Sequence, residues 1–214
     1  MRQRTSQLLF QYWNDVRGER MAPERFDIEP SRIAGILPET CIFERDGEHA
    51  YQFRLAGTRI CDNWGRELRG TSLHLLALPG DRPVLDDVME TVTDQGAVAL
   101  FEFAATTRDG RDIAFEALLL PLLHMTGTVS RYLGAISPID PPAWLGTEVL
   151  TAGPLISHAV LWPDGRPYAL IERNHRQAPF LPAMAGARIV RVDRRQFRVF
   201  DGGRAGEPAH KPAK

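Results

Sequence analysis

Residues 54–138 do most to limit how this chain can fold, because their signals come in an order that few architectures accept. A strand signal at residues 49–56 runs into the turn-rich stretch RLAGTRICDNWGRELRGTSLHLL, where Gly57, the Asp62-Asn63 pair, Gly65 and Gly70 break the chain into short helical turns. Asp81 then reads as a helix N-cap, with Pro83 tolerated in the first turn. Val84, Leu85, Val88, Met89 and Val92 recur on one helical face before Gly96 ends it. Three strands follow at residues 97–107, 112–123 and 131–137, the first two joined at Arg108-Asp109-Gly110-Arg111. Phe101 and Phe103 share one face of the first, with Leu100 and Glu102 on the other. Ile113, Phe115 and Ala117 alternate with Glu116 and Leu118 on the second. Upstream, residues 41–45 and 49–56 flank Asp46-Gly47, a tight-hairpin signal. Five strands with short links and one substantial helix imply an α+β domain, a mostly antiparallel sheet with helices on one face.

The flanks are simpler. Thr5 or Ser6 can cap a first helix on which Leu8, Leu9, Tyr12, Trp13 and Val16 form an apolar stripe before Gly18. So short a helix is marginal alone in water, so the stripe must pack on its own domain or on the same helix of a second subunit. The lead that follows is punctuated by Pro23, Pro30 and Pro38, and Pro30 can open a short helix through Ile33 and Ile36. Pro138, Pro141 and Pro142 mark a boundary. Beyond it lie short strand signals at residues 159–162, 168–172, 188–192 and 197–200, with Asp164-Gly165 as a turn. The expected division is a helix and lead at 1–40, a domain at 41–138, an extension at 139–202 packed on it, and a disordered tail at 203–214.

Composition narrows the class. With 214 residues, 43% apolar and 25% charged, the chain can bury one good core, and its net charge of −1 creates no field for nucleic acid or anionic lipid. No apolar run approaches a membrane span, and the N-terminus lacks the apolar region of a signal peptide. Cys41 and Cys61 form no metal or redox motif, so a reduced, cytoplasmic protein is the economical expectation.

Residues 51–138, including PGDRPVLDDV, resemble a PAS domain. Trp13, Arg17-Gly18, Arg20, Pro23, Arg25, Asp27-Ile28, Pro30, Ile33 and Leu37-Pro38 resemble the opening of a family of bacterial single-domain PAS proteins formerly of unknown function, as do YQFRLAGTRICDNWGRELRGTSL and FRVFDGG. The match spans roughly residues 10–202. It implies a PAS fold with a five-stranded antiparallel sheet. It also implies a stand-alone sensory or adaptor module acting on signalling proteins such as histidine kinases.

A pocket in such a fold would lie between the helices and the inner sheet face. Trp64, His74, Leu85, Met89, Phe101, Phe103, Phe115 and Leu133 are the residues expected to line it. The same residues also make a plain core, and both readings stand at this point. His74 could ligate haem iron or hydrogen-bond a ligand, or be a helix-cap histidine. Haem-binding relatives carry their histidine on the long helix, which has none here. Neither cysteine sits in the motif of flavin-binding light sensors, so the cofactor stays unknown. PAS relatives often pair through a leading helix, so Leu8, Leu9, Tyr12, Trp13 and Val16 are the expected homodimer or partner interface.

Three further patterns carry little. Glu116-Ala117-Leu118 is a tripeptide signature without its barrel, and Glu172 with His175 is a single half-site for a di-iron centre. Arg191, Arg194, Arg195 and Arg198 could meet an acidic partner or simply guard a strand edge. No catalytic constellation is present in the sequence. The expected function is a PAS sensory or adaptor protein, its contacts gated by a small ligand or made without one.

Overall fold

The computed structural model describes residues 1–47, 51–165, 167–168, 188–192 and 195–199. Helix α1 (Arg4–Arg17) opens the chain, and a 3-10 segment, Pro30–Glu39, starts at Pro30 as its fixed φ favours. Strands β1 (Thr40–Arg45) and β2 (Tyr51–Ala56) pair antiparallel. Helix α2 (Thr58–Trp64) ends at Gly65 in the left-handed region, with φ 61°. Helix α3 (Arg82–Gln95) ends the same way at Gly96, with φ 64°. Then come β3 (Val98–Thr107), β4 (Asp112–Leu123), β5 (Val129–Pro138) and β6 (Leu150–Leu161).

These six strands form one sheet in the order β2-β1-β5-β4-β3-β6. The five expected strands are all there, and β6 is a correction: residues after Pro138 return to pair antiparallel with β3, so the sheet does not end at 138. The strand signal at 159–162 caught only its end, and the reason is physical. β6 is an edge strand, half solvated and interrupted by Gly153 and Pro154, so its sequence carries no clean alternation.

Helices α2 and α3 cover one face of the sheet as expected, and the N-terminal helix α1 with the lead covers the other. On the inner face, α2, the turn Leu73–Leu76 and α3 bury Ile60, Trp64, Leu73, Leu85 and Met89 against Phe43, Phe53, Phe101, Phe103 and Phe115. On the outer face, α1 and the lead bury Leu9, Trp13, Ala22, Ile28 and Ile33 against Leu118, Leu120, Leu122 and Leu133. β4 is therefore almost wholly buried, which is why its LLLPLL run shows no polar alternation.

Asp81 stands at the N-cap of α3 as expected, but its side chain makes no capping hydrogen bond; Oδ2 instead accepts the Leu155 N–H at 3.0 Å and ties β6 to the start of α3. Of the later strand signals, β7 (Arg188–Val192) and β8 (Arg195–Val199) pair as an antiparallel hairpin in a separate unit. All but the first residue of the expected strand at 168–172, Glu172 with His175, His49, Phe200 and the tail lie outside the described residues, as do the side chains of the arginine run.

Candidate functional site

The inner core is built around three rings. Trp64 arrives from the last turn of α2, and Phe103 and Phe115 come from the inward positions of β3 and β4, where they are register partners. Centroid separations are 5.0 Å for Trp64–Phe115, 5.6 Å for Phe103–Phe115 and 6.3 Å for Trp64–Phe103. All three are at van der Waals contact range for offset aromatic packing. Leu85 and Met89 from α3, and Phe101, complete the same buried cluster. Six of the eight expected lining residues thus meet, and they meet by filling the space between helices and sheet.

Two do not join them. Leu133 points to the outer face and packs with the α1 layer, while its neighbour Tyr132 takes the inward position. A strand's faces alternate, and β5 carries apolar residues at both parities, so its sequence did not reveal the register. His74 lies outside the core, its side chain 26% exposed and its Nε2 2.8 Å from Asp86 Oδ1 of α3. Its backbone N–H donates to Ser72 Oγ, the N-cap of the turn. It staples that turn to α3.

Polar groups that the sequence did not single out sit at the other end of the core. Tyr132 OH and Thr93 Oγ1 are 2.6 Å apart, and Thr93 donates to the Met89 carbonyl at 2.7 Å. Burial pushes the Tyr132 hydroxyl up to about 12, so it stays protonated and donates. Tyr51 stands edge-on to it, with centroids 5.5 Å apart. An aromatic at the inward parity of each strand was the available signal. In the interior, the Trp64 Nε1–H is buried without a hydrogen-bond partner among the described residues.

A surface cleft of about 890 Å³ opens beside α2, between Arg59, Cys61, Asn63 and Arg66 and the loop bearing Pro138, Pro141, Pro142 and Leu145. Burial opposes charge on Glu39 at its edge. Hydrogen bonds from Ser137, Thr5 and Arg59 outweigh that and hold the carboxyl below its ordinary value. Burial pushes both thiols up, with Glu67 adding to the effect at Cys61, so neither is a reactive thiolate. Among the described residues no group of three or more His, Cys, Asp or Glu side chains could hold a metal ion. No described helix is long and apolar enough to cross a membrane.

The expected dimer face needs correction. Leu9 and Trp13 are fully buried and Tyr12 nearly so, all against the chain's own sheet. Trp13 Nε1 donates to the Pro121 carbonyl of β4 at 2.8 Å. The buried Glu116 carboxylate accepts the Arg2 and Gln3 backbone N–H groups at 2.6 and 3.1 Å and anchors the start of α1. Arg17, almost buried, lies 5.6 Å over the Trp13 ring and pairs with Asp164 at 2.9 Å. Val16, half-buried, packs against the same cluster, and of the five only Leu8, 40% exposed, stands clear of it.

A family model described as a PAS domain matches residues 1–137. The chain belongs to the PAS domain family. The matched residues include α1 and the lead. Among solved structures the chain is similar to the PAS domain of a protein from Colwellia psychrerythraea, with 18% identity, 51% of this chain and 95% of that one covered, and a TM-score of 0.39. It is similar to the PAS domain of an HTR-like protein from Haloarcula marismortui, with 20% identity, 51% and 90% covered, and a TM-score of 0.38. A third is a sensory box histidine kinase/response regulator from Burkholderia thailandensis, with 15% identity, 52% and 85% covered, and a TM-score of 0.36. No curated protein matches the chain in sequence.

Proposed function

We propose that this PAS protein is a cytoplasmic signalling module that works by contacting other signalling proteins, histidine kinases among them, with its interior filled by its own side chains. The observation that carries this is the Trp64–Phe103–Phe115 cluster, packed ring on ring where a ligand would sit. A ligand would have to displace side chains that each gain roughly 1.5–3 kcal/mol from burial. The kinase partner rests on the family resemblance. The role is binding rather than catalysis.

A second reading, a ligand-gated sensor, is favoured by one atom. The buried Trp64 Nε1–H lacks an acceptor among the described residues, and leaving such a donor unsatisfied costs about 1–3 kcal/mol that a small ligand could recover. Gating then requires that the ligand bind one conformation more tightly than the other. Native mass spectrometry of the purified protein, thermal melts with haem and flavin mononucleotide, and titration against purified cytoplasmic fragments of histidine kinases separate the two. The contact module expects the bare chain mass, unshifted melts and a saturable kinase complex. A stoichiometric adduct or a ligand-dependent rise in melting temperature favours the sensor. Failure of every kinase fragment to bind removes the partner class.

A further inference from the structure

Asn63 is a buried amide that the fold does not use. It stands in the last turn of α2, 4% exposed, and its Nδ2 has no hydrogen-bond partner among the described residues. Burying a donor unsatisfied costs stability, and a residue such as Leu would avoid that cost. The usual local reasons for an asparagine do not apply. The N-cap of α2 is Gly57, at the other end of the helix. Nor does Asn63 enter the left-handed region that asparagine tolerates, since among the described residues Asp140 is the one non-glycine with positive φ. Its neighbours Ile60 and Trp64 turn into the core, whereas Asn63 lines the surface cleft of about 890 Å³ beside α2.

The cleft narrows what that amide meets. Its wall across from α2 is apolar, made by Pro138, Pro141, Pro142 and Leu145. Its charges nearly cancel: Arg59 is paired with Glu39, and Arg66 shares the rim with Asp62 and Glu67. Carboxylates thus outnumber guanidinium groups by one, and no positive charge is left over to select an anion. The side chain without a partner is itself neutral, with two donor hydrogens on Nδ2 and an acceptor at Oδ1. Another amide matches that pair of functions. The volume is that of small-molecule sites, which combine apolar walls with a few orienting polar groups. We propose that this cleft binds a neutral small molecule in which an amide is joined to an apolar ring: the amide carbonyl accepts from Asn63 Nδ2, and the ring lies on Pro141, Pro142 and Leu145. This goes beyond the contact function above. None of Trp64, Phe103 and Phe115 lines the cleft, so the site is independent of how the interior is filled.

The probe is benzamide, titrated into isotope-labelled protein and followed by two-dimensional NMR, with benzoate and benzylammonium as charged counterparts of similar shape. Benzamide is expected to shift the Asn63 side-chain amide and the backbone amides of residues 59–67 and 145–147 saturably. Benzoate and benzylammonium are expected to bind at least about tenfold more weakly. Asn63→Leu should lose about tenfold or more of the benzamide affinity with an unchanged or higher melting temperature, because it removes a buried unsatisfied donor. A purely structural Asn63 predicts the reverse, a lower melting temperature with binding intact. Pro141→Glu is an exposed change on the opposite wall that leaves the fold as it is and should weaken benzamide likewise, so the site stays testable if Asn63→Leu misfolds. No saturable shift at these residues, as when water alone meets Asn63, overturns the assignment. So does equal binding by either charged counterpart, or wild-type binding by the folded variants. Tighter binding by a capped Gly-Phe-Gly peptide would give the cleft to a peptide segment and overturn the small-molecule class.

Discussion

Replacing Trp13 by Ala tests whether α1 belongs to its own domain. The indole is fully buried, it donates to the Pro121 carbonyl at 2.8 Å, and the Arg17 guanidinium rests 5.6 Å above it. Core Trp-to-Ala changes cost about 3–5 kcal/mol, and here the lost hydrogen bond and the uncovered Arg17 place the effect in the upper half of that range. Against a total stability of about 5–15 kcal/mol for a domain, the variant folds but with a markedly lower urea midpoint. Trp13→Phe separates the contributions: it keeps most of the apolar burial and strands the Pro121 carbonyl, for about 1–3 kcal/mol. Urea titrations followed by far-ultraviolet circular dichroism measure both, with the m-value as a check that the folded states match. A cost below about 1 kcal/mol for Trp13→Ala would mean that the helix is not docked on the sheet. Its apolar face would then be open to a partner, and the account of the outer core would fall.

Deleting residues 1–18 should uncover Leu118, Leu120 and Leu133 and drive association, seen as a higher mass by light scattering; a clean monomer derived from a wild-type dimer would restore α1 as a dimer helix. Gly57→Ala should cost about 1–3 kcal/mol by urea unfolding, because an added Cβ strikes the Pro38 carbonyl; an unchanged midpoint would contradict that approach. Glu39 has a lowered folded-state pKa, so its stabilisation is full above the ordinary glutamate value and is lost as pH falls through the lowered one. The stability gap between wild type and Glu39→Gln should therefore narrow on acidification, and a gap that widens would reverse the sign. Trp64→Ala should lower stability by about 3–5 kcal/mol, and added indole should raise its melting temperature but not that of wild type. Equal response of both proteins would mean that the interior is not filled by Trp64.

Much of the inner layer was legible because its elements have a single solution. The stripe on α3 and the alternating Phe101 and Phe103 can each be buried on one side only, so period alone identifies the covered face. Where a segment is apolar at both parities, as at Tyr132-Leu133, period is silent, and the register of neighbouring strands decided that Leu133 faces α1. Of edge strand β6 only the end, at residues 159–161, carried a strand signal, since the half-solvated stretch before it, with Gly153 and Pro154, has no pattern to read. The site shows the same split. Its aromatic residues are legible as an inward cluster, while the pairing of His74 with Asp86, twelve positions away, is a tertiary fact that no local pattern carries.

The sequence by itself determined the order of elements and the need to cover α1's stripe, because helix and strand periods are local properties of the chain. Only the tertiary structure decided what covers it, that the interior is packed by rings, and that Asn63 and the loop after β5 line one cleft. Those outcomes depend on which distant segments the sheet register brings into contact, and burial is settled by neighbours in space rather than neighbours in sequence.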